Sequence, residues 1–194
     1  MPKSTIETTF EKYRYDSNIA TKSKTWFQQQ ALLLQKGNTR ITPNKLFREG
    51  VQTTRLTPGK LYMFYYDPKL KDTLPYYDTF PLVFPYSKVK DGFMGLNMHY
   101  LPHFYRVQLM TRLMQFANNK NFDETTKIRY SWSLIGGASK FRFAEPCIKH
   151  YLNDHVKSTF LEIPANDWHT AMMLPVERFV GASKNKVWGD SVKV

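Results

Sequence analysis

The sequence predicts an α+β fold, a single domain in which a small antiparallel sheet is packed by several helices. Two features indicate this class. Short aromatic segments punctuated by proline and glycine are concentrated between residues 58 and 100, which is typical of strands and tight turns. After residue 102 apolar residues recur at steps of three and four, as in helices with one apolar face. A chain of 194 residues suits one core of ordinary size.

Three regions differ in composition. We expect residues 1–57 to form a basic N-terminal arm with short helices, residues 58–180 a compact α+β core, and residues 181–194 a basic C-terminal tail. Residues 1–24 are polar and basic without clear periodicity, which is typical of a segment that becomes ordered only against a neighbour. The arm is therefore expected to lie extended over other chains.

Short helices are predicted in the second half of this arm. Good helix formers run through "KTWFQQQALLLQKGN", which ends on a Gly-Asn stop signal. In "ITPNKLFREG", Thr42 fits the N-cap, Pro43 the first helical position and Gly50 the end of the helix.

Strands are predicted from the Pro58–Gly59 turn onward, beginning with the aromatic residues 60–66. Segments 80–86 and 93–100 are expected to pair as a hairpin through a tight turn at Asp91–Gly92. Since "FPLVFPY" carries prolines near both ends, and proline cannot donate to a ladder, we expect an edge or bulged strand there, not a central one. "STFLEIP" is predicted to be a further strand.

Helices are predicted in the second half of the chain. The clearest covers residues 101–116, and another starts after Asp123 as N-cap and closes on Gly136–Gly137. Pro146 is expected to begin a helix over "CIKHYLNDHV", and "ANDWHTAMML" a short helix that ends at Pro175.

The chain is strongly basic, with 28 Lys and Arg against 16 Asp and Glu and a net charge of +12. Residues 1–60 hold 11 of these cations and 4 of the acids. Such an excess favours polyanionic partners, namely nucleic acid, a membrane surface or an acidic protein. Since no apolar run approaches the roughly 18 residues of a membrane span, we expect no membrane partner.

Catalytic and metal-binding motifs are not evident. Nucleotide-binding glycine motifs, G-x-S-x-G and H-E-x-x-H do not occur. His99 and His103 are four residues apart, but Pro102 lies between them and a third ligand is not evident, so ordinary hydrogen-bonded histidines are favoured over a metal site. The single cysteine, Cys147, excludes an intrachain disulfide and is expected to be structural.

We therefore expect no enzyme activity, no cofactor, no metal and no small-molecule substrate. A hydrolase or nuclease would require clustered carboxylates around a metal ion. The residues that could supply them are Asp67, Asp72, Asp78 and Asp91.

Basic residues alternate with aromatic ones in "KYRY", "KIRYSW" and "SKFRF". Lys and Arg can contact phosphates while rings stack on unpaired bases, which gives salt-sensitive and sequence-independent binding. The structural alternative is that the rings belong to the core and the charges to a solvated face. The candidate nucleic-acid contacts are Arg14, Lys22, Lys24, Arg40, Arg129, Lys140 and Arg142.

The stretches "LYMFYYDPKLKDTLPYYDTFPLVFPY" and "GFMGLNMHYLPHFYRVQLM" resemble a family of small structural virion proteins of large contractile-tailed bacteriophages. The resemblance covers about residues 60–190. It implies a non-enzymatic virion component, assembled in the host cytoplasm, whose partners are other virion proteins. Candidate partner-binding residues are Trp26, Phe27, Arg40, Arg48, Tyr76, Tyr77 and Trp188.

The aromatic stretch over residues 72–106 is expected to fix bends and fill the core, with part of its surface available to neighbouring subunits. Two functions remain open. The first is a structural component of the tail baseplate or neck that acts through protein–protein contacts. The alternative is a DNA-binding protein that protects or seats the ends of the phage genome.

Overall fold

A computed structural model describes residues 42–102, 105–106, 109, 112–113, 115–116, 119–139 and 142–193. Its centre is a six-stranded antiparallel sheet with strand order β1-β7-β2-β4-β5-β6. The strands are β1 Val51–Thr53, β2 Leu61–Met63, β4 Leu82–Val89, β5 Gly92–Asn97, β6 Ile148–Leu152 and β7 Phe160–Ile163. A small second sheet pairs β3 Tyr77–Asp78 with β8 Phe179–Val180. The predicted α+β class is confirmed.

The helices are α1 Pro43–Glu49, α2 Glu124–Ala138, α3 Trp168–Ala171 and α4 Lys184–Val192, and the described residues between 105 and 116 are also helical. The predicted caps are confirmed, since Thr42 Oγ1 accepts from Lys45 N–H at 3.3 Å and Asp123 Oδ1 from Thr126 N–H at 2.7 Å. None of the helices in the described ranges has the length and apolar character that crossing a bilayer requires.

The predicted hairpin is confirmed as β4 and β5, but β4 is not an edge strand. It lies between β2 and β5, and its register shifts between Pro85 and Ser87. The predicted bulge is therefore present, and the predicted edge position is wrong. Pro85 is tolerated because β2 pairs only as far along β4 as Val83, so the missing N–H falls beyond the β2 ladder.

Both faces of the sheet are buried. Along β2, Leu61 and Met63 belong to the larger apolar cluster, on the face covered by helices, whereas Tyr62 between them belongs to a second cluster. The second cluster is aromatic, and Phe64 is its centre. The ring of Phe64 lies 5.2 to 6.2 Å from the rings of Phe160, Tyr151, Phe93 and Tyr66. Edge-to-face packing of this kind adds to the stabilisation from burial.

The helix predicted from Pro146 over "CIKHYLNDHV" is wrong. Pro146 lies in the 3₁₀ helix Arg142–Cys147, and residues 148–152 form β6. The apolar residues of this segment fit a helical or a strand period equally well, and pairing with β5 decides the outcome. Tyr151 pairs with Phe93 and stacks on its ring at 5.2 Å.

Residues at both ends of the predicted core also pack on it. In α1, Leu46 is only 2% exposed, and β1 pairs with β7, so residues 42–53 of the predicted arm contribute to the fold. In the predicted tail, α4 buries Val187 completely. Residues 1–41 of the predicted arm lie outside the described residues.

Candidate nucleic-acid interface

A cleft of about 400 Å³ lies beside β6, at one edge of the six-stranded sheet. We call it the edge cleft. One wall consists of β6 residues Lys149–Leu152, and the opposite wall comes from the segment between Tyr66 and Tyr77. Its volume falls within the range of roughly 300 to 1,000 Å³ that is usual for ligand sites.

The segment opposite β6 is fixed by local hydrogen bonds. The N–H groups of Thr73 and Leu74 donate to the carbonyl of Leu70 at 3.0 and 3.1 Å, which closes a compact turn after Pro68. Tyr66 ties the segment to the sheet, because its hydroxyl accepts from the N–H of Leu152 at 3.1 Å. The cleft is thus bounded by two anchored walls.

Asp78 forms the floor of the cleft and is fully engaged within the fold. Its Oδ2 accepts from His99 Nδ1 at 2.7 Å and from Asn97 Nδ2 at 3.2 Å. Its Oδ1 accepts from the N–H groups of Phe80 at 3.0 Å and Arg178 at 3.3 Å. This carboxylate holds β3, β5 and the approach to β8 together, which is a structural role.

Lys149 is the cation inside the cleft. Its Nζ lies 4.0 Å from the centroid of the Tyr100 ring, within the range of a cation–π contact. Burial lowers the pKa of Lys149 and raises the pKa of Tyr100 well above its ordinary value. Both shifts have the same cause, since a site shielded from water disfavours the charged form of each group.

Further charges surround the opening. Lys69 lines the cleft, while Lys71 pairs with Asp67 at 3.0 Å and Lys186 with Asp190 at 2.8 Å. Within the described ranges, no ion pair joins Lys69 or Lys149 to a carboxylate. These two ammonium groups are therefore available to an anionic ligand.

The aromatic stretch over residues 72–106 contributes to both the core and the cleft. Phe80 and Phe84 are completely buried and Phe93 nearly so, which confirms the expected role in filling the core. Tyr76 and Tyr77 are half-buried and line the edge cleft.

The other candidate contacts are dispersed. Arg129 is exposed on α2 and Arg48 is exposed on α1, whereas Arg142 lies in the 3₁₀ helix before β6. The indole of Trp188 is engaged inside the fold, since its Nε1 donates to the carbonyl of His99 at 2.8 Å. The candidates outside the described residues are Arg14, Lys22, Lys24, Trp26, Phe27, Arg40 and Lys140.

Sequence reasoning missed Lys69 and Lys149. The signal that could have identified Lys149 is its position two residues before Tyr151 in a strand, which places both side chains on one face. A helical interpretation of this segment conceals that relation.

The residues considered for chemistry differ in their burial. Cys147 is completely buried, and burial raises the pKa of its thiol to about 12. Asp72 and Asp91 are exposed, Asp67 is half-buried and Asp78 is buried. Across the described ranges, no three or more His, Cys, Asp or Glu side chains gather as a metal ion would require.

The fold and the cleft define a class of protein: a basic α+β protein with an aromatic cleft that carries a half-buried lysine. The family model described as phage T4 terminal DNA protecting protein matches residues 11–192. Because this match covers nearly the whole chain, the chain belongs to that family. The expected phage family is thereby confirmed at this coarser level, but the match is not to a family of contractile-tail structural proteins. No curated protein and no solved structure gives a significant match.

Proposed function

We propose that this protein binds the ends of linear duplex DNA and protects them from degradation. The family match over residues 11–192 is the observation that carries the proposal, because the family is described by the protection of terminal DNA. Of the two functions left open by the sequence, it favours the DNA-end reading over a role in the tail baseplate or neck.

The charge of the chain supports the same function. A net charge of +12 favours a polyanion, and duplex DNA presents closely spaced phosphates along both strands. Arg129 on α2 and Lys69 at the edge cleft are exposed cations in the described part of the chain. Phosphate contacts of this kind position a protein on DNA without reading its sequence.

Protection is expected to follow from occupancy alone. A protein seated on a duplex terminus denies an exonuclease the end from which it starts, and no bond in the DNA has to be made or broken. We place the protein in the phage particle, at the ends of the packaged genome, where other virion proteins would be its neighbours.

The test is a nuclease-protection assay with the full chain and a linear duplex digested from its ends by a purified exonuclease. Wild-type protein is expected to slow digestion. Unlabelled DNA added as a competitor should restore digestion, and at equal base concentration sheared linear DNA should do so far better than supercoiled circular DNA. If circles compete as well as fragments, binding is not specific for ends and the proposal fails.

Salt provides a second arm of the test. If about five phosphates are neutralised, affinity should fall on the order of 500-fold between 50 and 200 mM salt. Arg129→Gln should weaken binding and flatten this dependence. An affinity that does not change with salt would contradict the proposed phosphate contacts.

A further inference from the structure

We propose that the edge cleft holds the terminal nucleotide of a DNA end, with its base unpaired and packed between the aromatic and aliphatic walls. This inference rests on the proposed function and deepens it by assigning the part of the protein that distinguishes an end from internal duplex. Lys149 supplies the positive charge inside the cleft, and Lys69 supplies it at the rim.

The walls of the cleft suit a flat, partly apolar ligand. Leu70 and Leu74 line the cleft and leave 61% and 42% of their surface exposed, so they offer apolar surface to a ligand. Tyr76 and Tyr77 line the same cleft and offer ring surface. Bases stack on such rings whatever their identity, so a cleft of this kind would accept any terminal base.

The charge inside the cleft suits the phosphate of the same ligand. Lys149 is half-buried against the ring of Tyr100, and no ion pair in the described ranges joins it to a carboxylate. The buried carboxylate nearby, Asp78, is already committed to His99, Asn97 and two backbone N–H groups. A desolvated ammonium without a counterion is unfavourable, and a phosphate would neutralise it.

A peptide strand fits this edge less well than a nucleotide. A strand added to β6 would need the outward N–H and C=O groups of that strand. The N–H of Leu152 already donates to the hydroxyl of Tyr66, and Tyr66 also bridges to Val156 just beyond β6. One end of the edge is therefore closed to strand addition.

Selectivity for ends follows from the cost of exposing a base. A base inside a duplex must be unpaired and unstacked on both sides before it can enter a protein cleft, whereas a terminal base lacks one stacking neighbour. A cleft that takes one unpaired base therefore favours termini over internal positions, even where phosphate contacts are equal.

The experiment uses the full chain and short duplexes with 2-aminopurine at the 5′ terminus, the 3′ terminus or the centre. Binding is expected to change the fluorescence of one terminal probe at least two-fold and to leave the central probe unchanged. The terminal probe that responds shows which strand enters the cleft. Equal responses at terminal and central positions would overturn the proposal.

Variants connect this signal to the cleft. Lys149→Met keeps most of the side-chain volume and should weaken end binding about ten-fold while abolishing the terminal response, and Tyr77→Ala should reduce the same response. Lys157→Met is the matched control, because Lys157 is an exposed lysine that does not line the cleft, and it should change affinity less than two-fold. Circular dichroism establishes that each variant is folded.

The outcomes separate the two proposals. If wild-type protein shows no preference for ends, both the proposed function and the cleft assignment fail. If it protects ends but the terminal probes are silent, or Lys149→Met behaves as wild type, the function stands and the cleft assignment alone is overturned.

Discussion

Replacing Asp78 by alanine tests whether the buried carboxylate organises the floor of the edge cleft. The side chain is 1% exposed and accepts four hydrogen bonds, from His99, Asn97, Phe80 and Arg178. Each buried donor left without a partner costs about 1–3 kcal/mol, although water entering the new cavity would satisfy some of them. With four such donors, some of them rehydrated, we expect Asp78→Ala to lose roughly 4 kcal/mol.

The assay is urea unfolding followed by circular dichroism, with the free energy of unfolding extrapolated to water. Asp78→Asn keeps the shape and one acceptor oxygen, so its loss should be smaller, about 2 kcal/mol. Asp72→Ala is the control, because Asp72 is exposed, and it should stay within about 0.5 kcal/mol of wild type. If Asp78→Ala loses no more than this control, the carboxylate does not hold the floor and the reasoning is refuted.

Four further predictions concern the rest of the fold. Gly59→Ala should cost about 1–3 kcal/mol, since Gly59 has φ +87° and an added Cβ would lie 2.7 Å from the carbonyl oxygen of Ile128. The control is Gly189→Ala on α4, where an added Cβ meets no neighbour, and this variant should not be destabilised. Equal melting temperatures for the two variants would contradict the prediction. Phe64→Ala should cost about 3–5 kcal/mol in urea unfolding because it empties the centre of the aromatic cluster, whereas a loss below about 1 kcal/mol would show that the rings repack. Cys147 is completely buried, and its pKa is raised from 9.0 to about 12, so it should react with a disulfide reagent at pH 8 at least about 30-fold more slowly in the folded than in the unfolded protein; equal rates would contradict this. The thiol of Cys147 has a higher pKa in the folded than in the unfolded protein, so its contribution to stability is present below pH 9 and is lost as the pH rises towards 12. Between pH 8 and pH 10.5 the free energy of unfolding should therefore decrease less for Cys147→Ala than for wild type. Identical decreases would count against this.

The elements that the sequence predicted well are those with local signals. The Thr42 and Asp123 caps and the turn signal at Asp91–Gly92 each act within a few residues, so α1, α2 and the β4–β5 hairpin could be located without knowledge of the fold, although the turn itself lies one residue earlier, at Lys90–Asp91. Residues 148–152 are different, because their period is ambiguous and only the ladder with β5 makes them a strand.

The edge cleft could not be predicted for a related reason. Its walls come from residues 66–77 and 149–152, which are far apart in the chain and meet only when β5 and β6 pair. The tyrosines at 76 and 77 were recognisable as candidate contacts, but the signal of Lys149, its two-residue spacing from Tyr151, applies only if residues 148–152 are known to form a strand. A lysine becomes informative only when its depth and its neighbours are known.

The strand order has a consequence for how the protein is made. β7, residues 160–163 of a chain of 194, lies between β1 and β2, which are hydrogen bonded to it and not to each other. While the polypeptide emerges from the ribosome, β1 has no partner strand until most of the chain has been synthesised, and β2 can pair only with β4. Completion of the sheet is thus a late, long-range event, which is intrinsically slow. Products of premature termination before residue 160 should remain incompletely folded and be removed by host proteases.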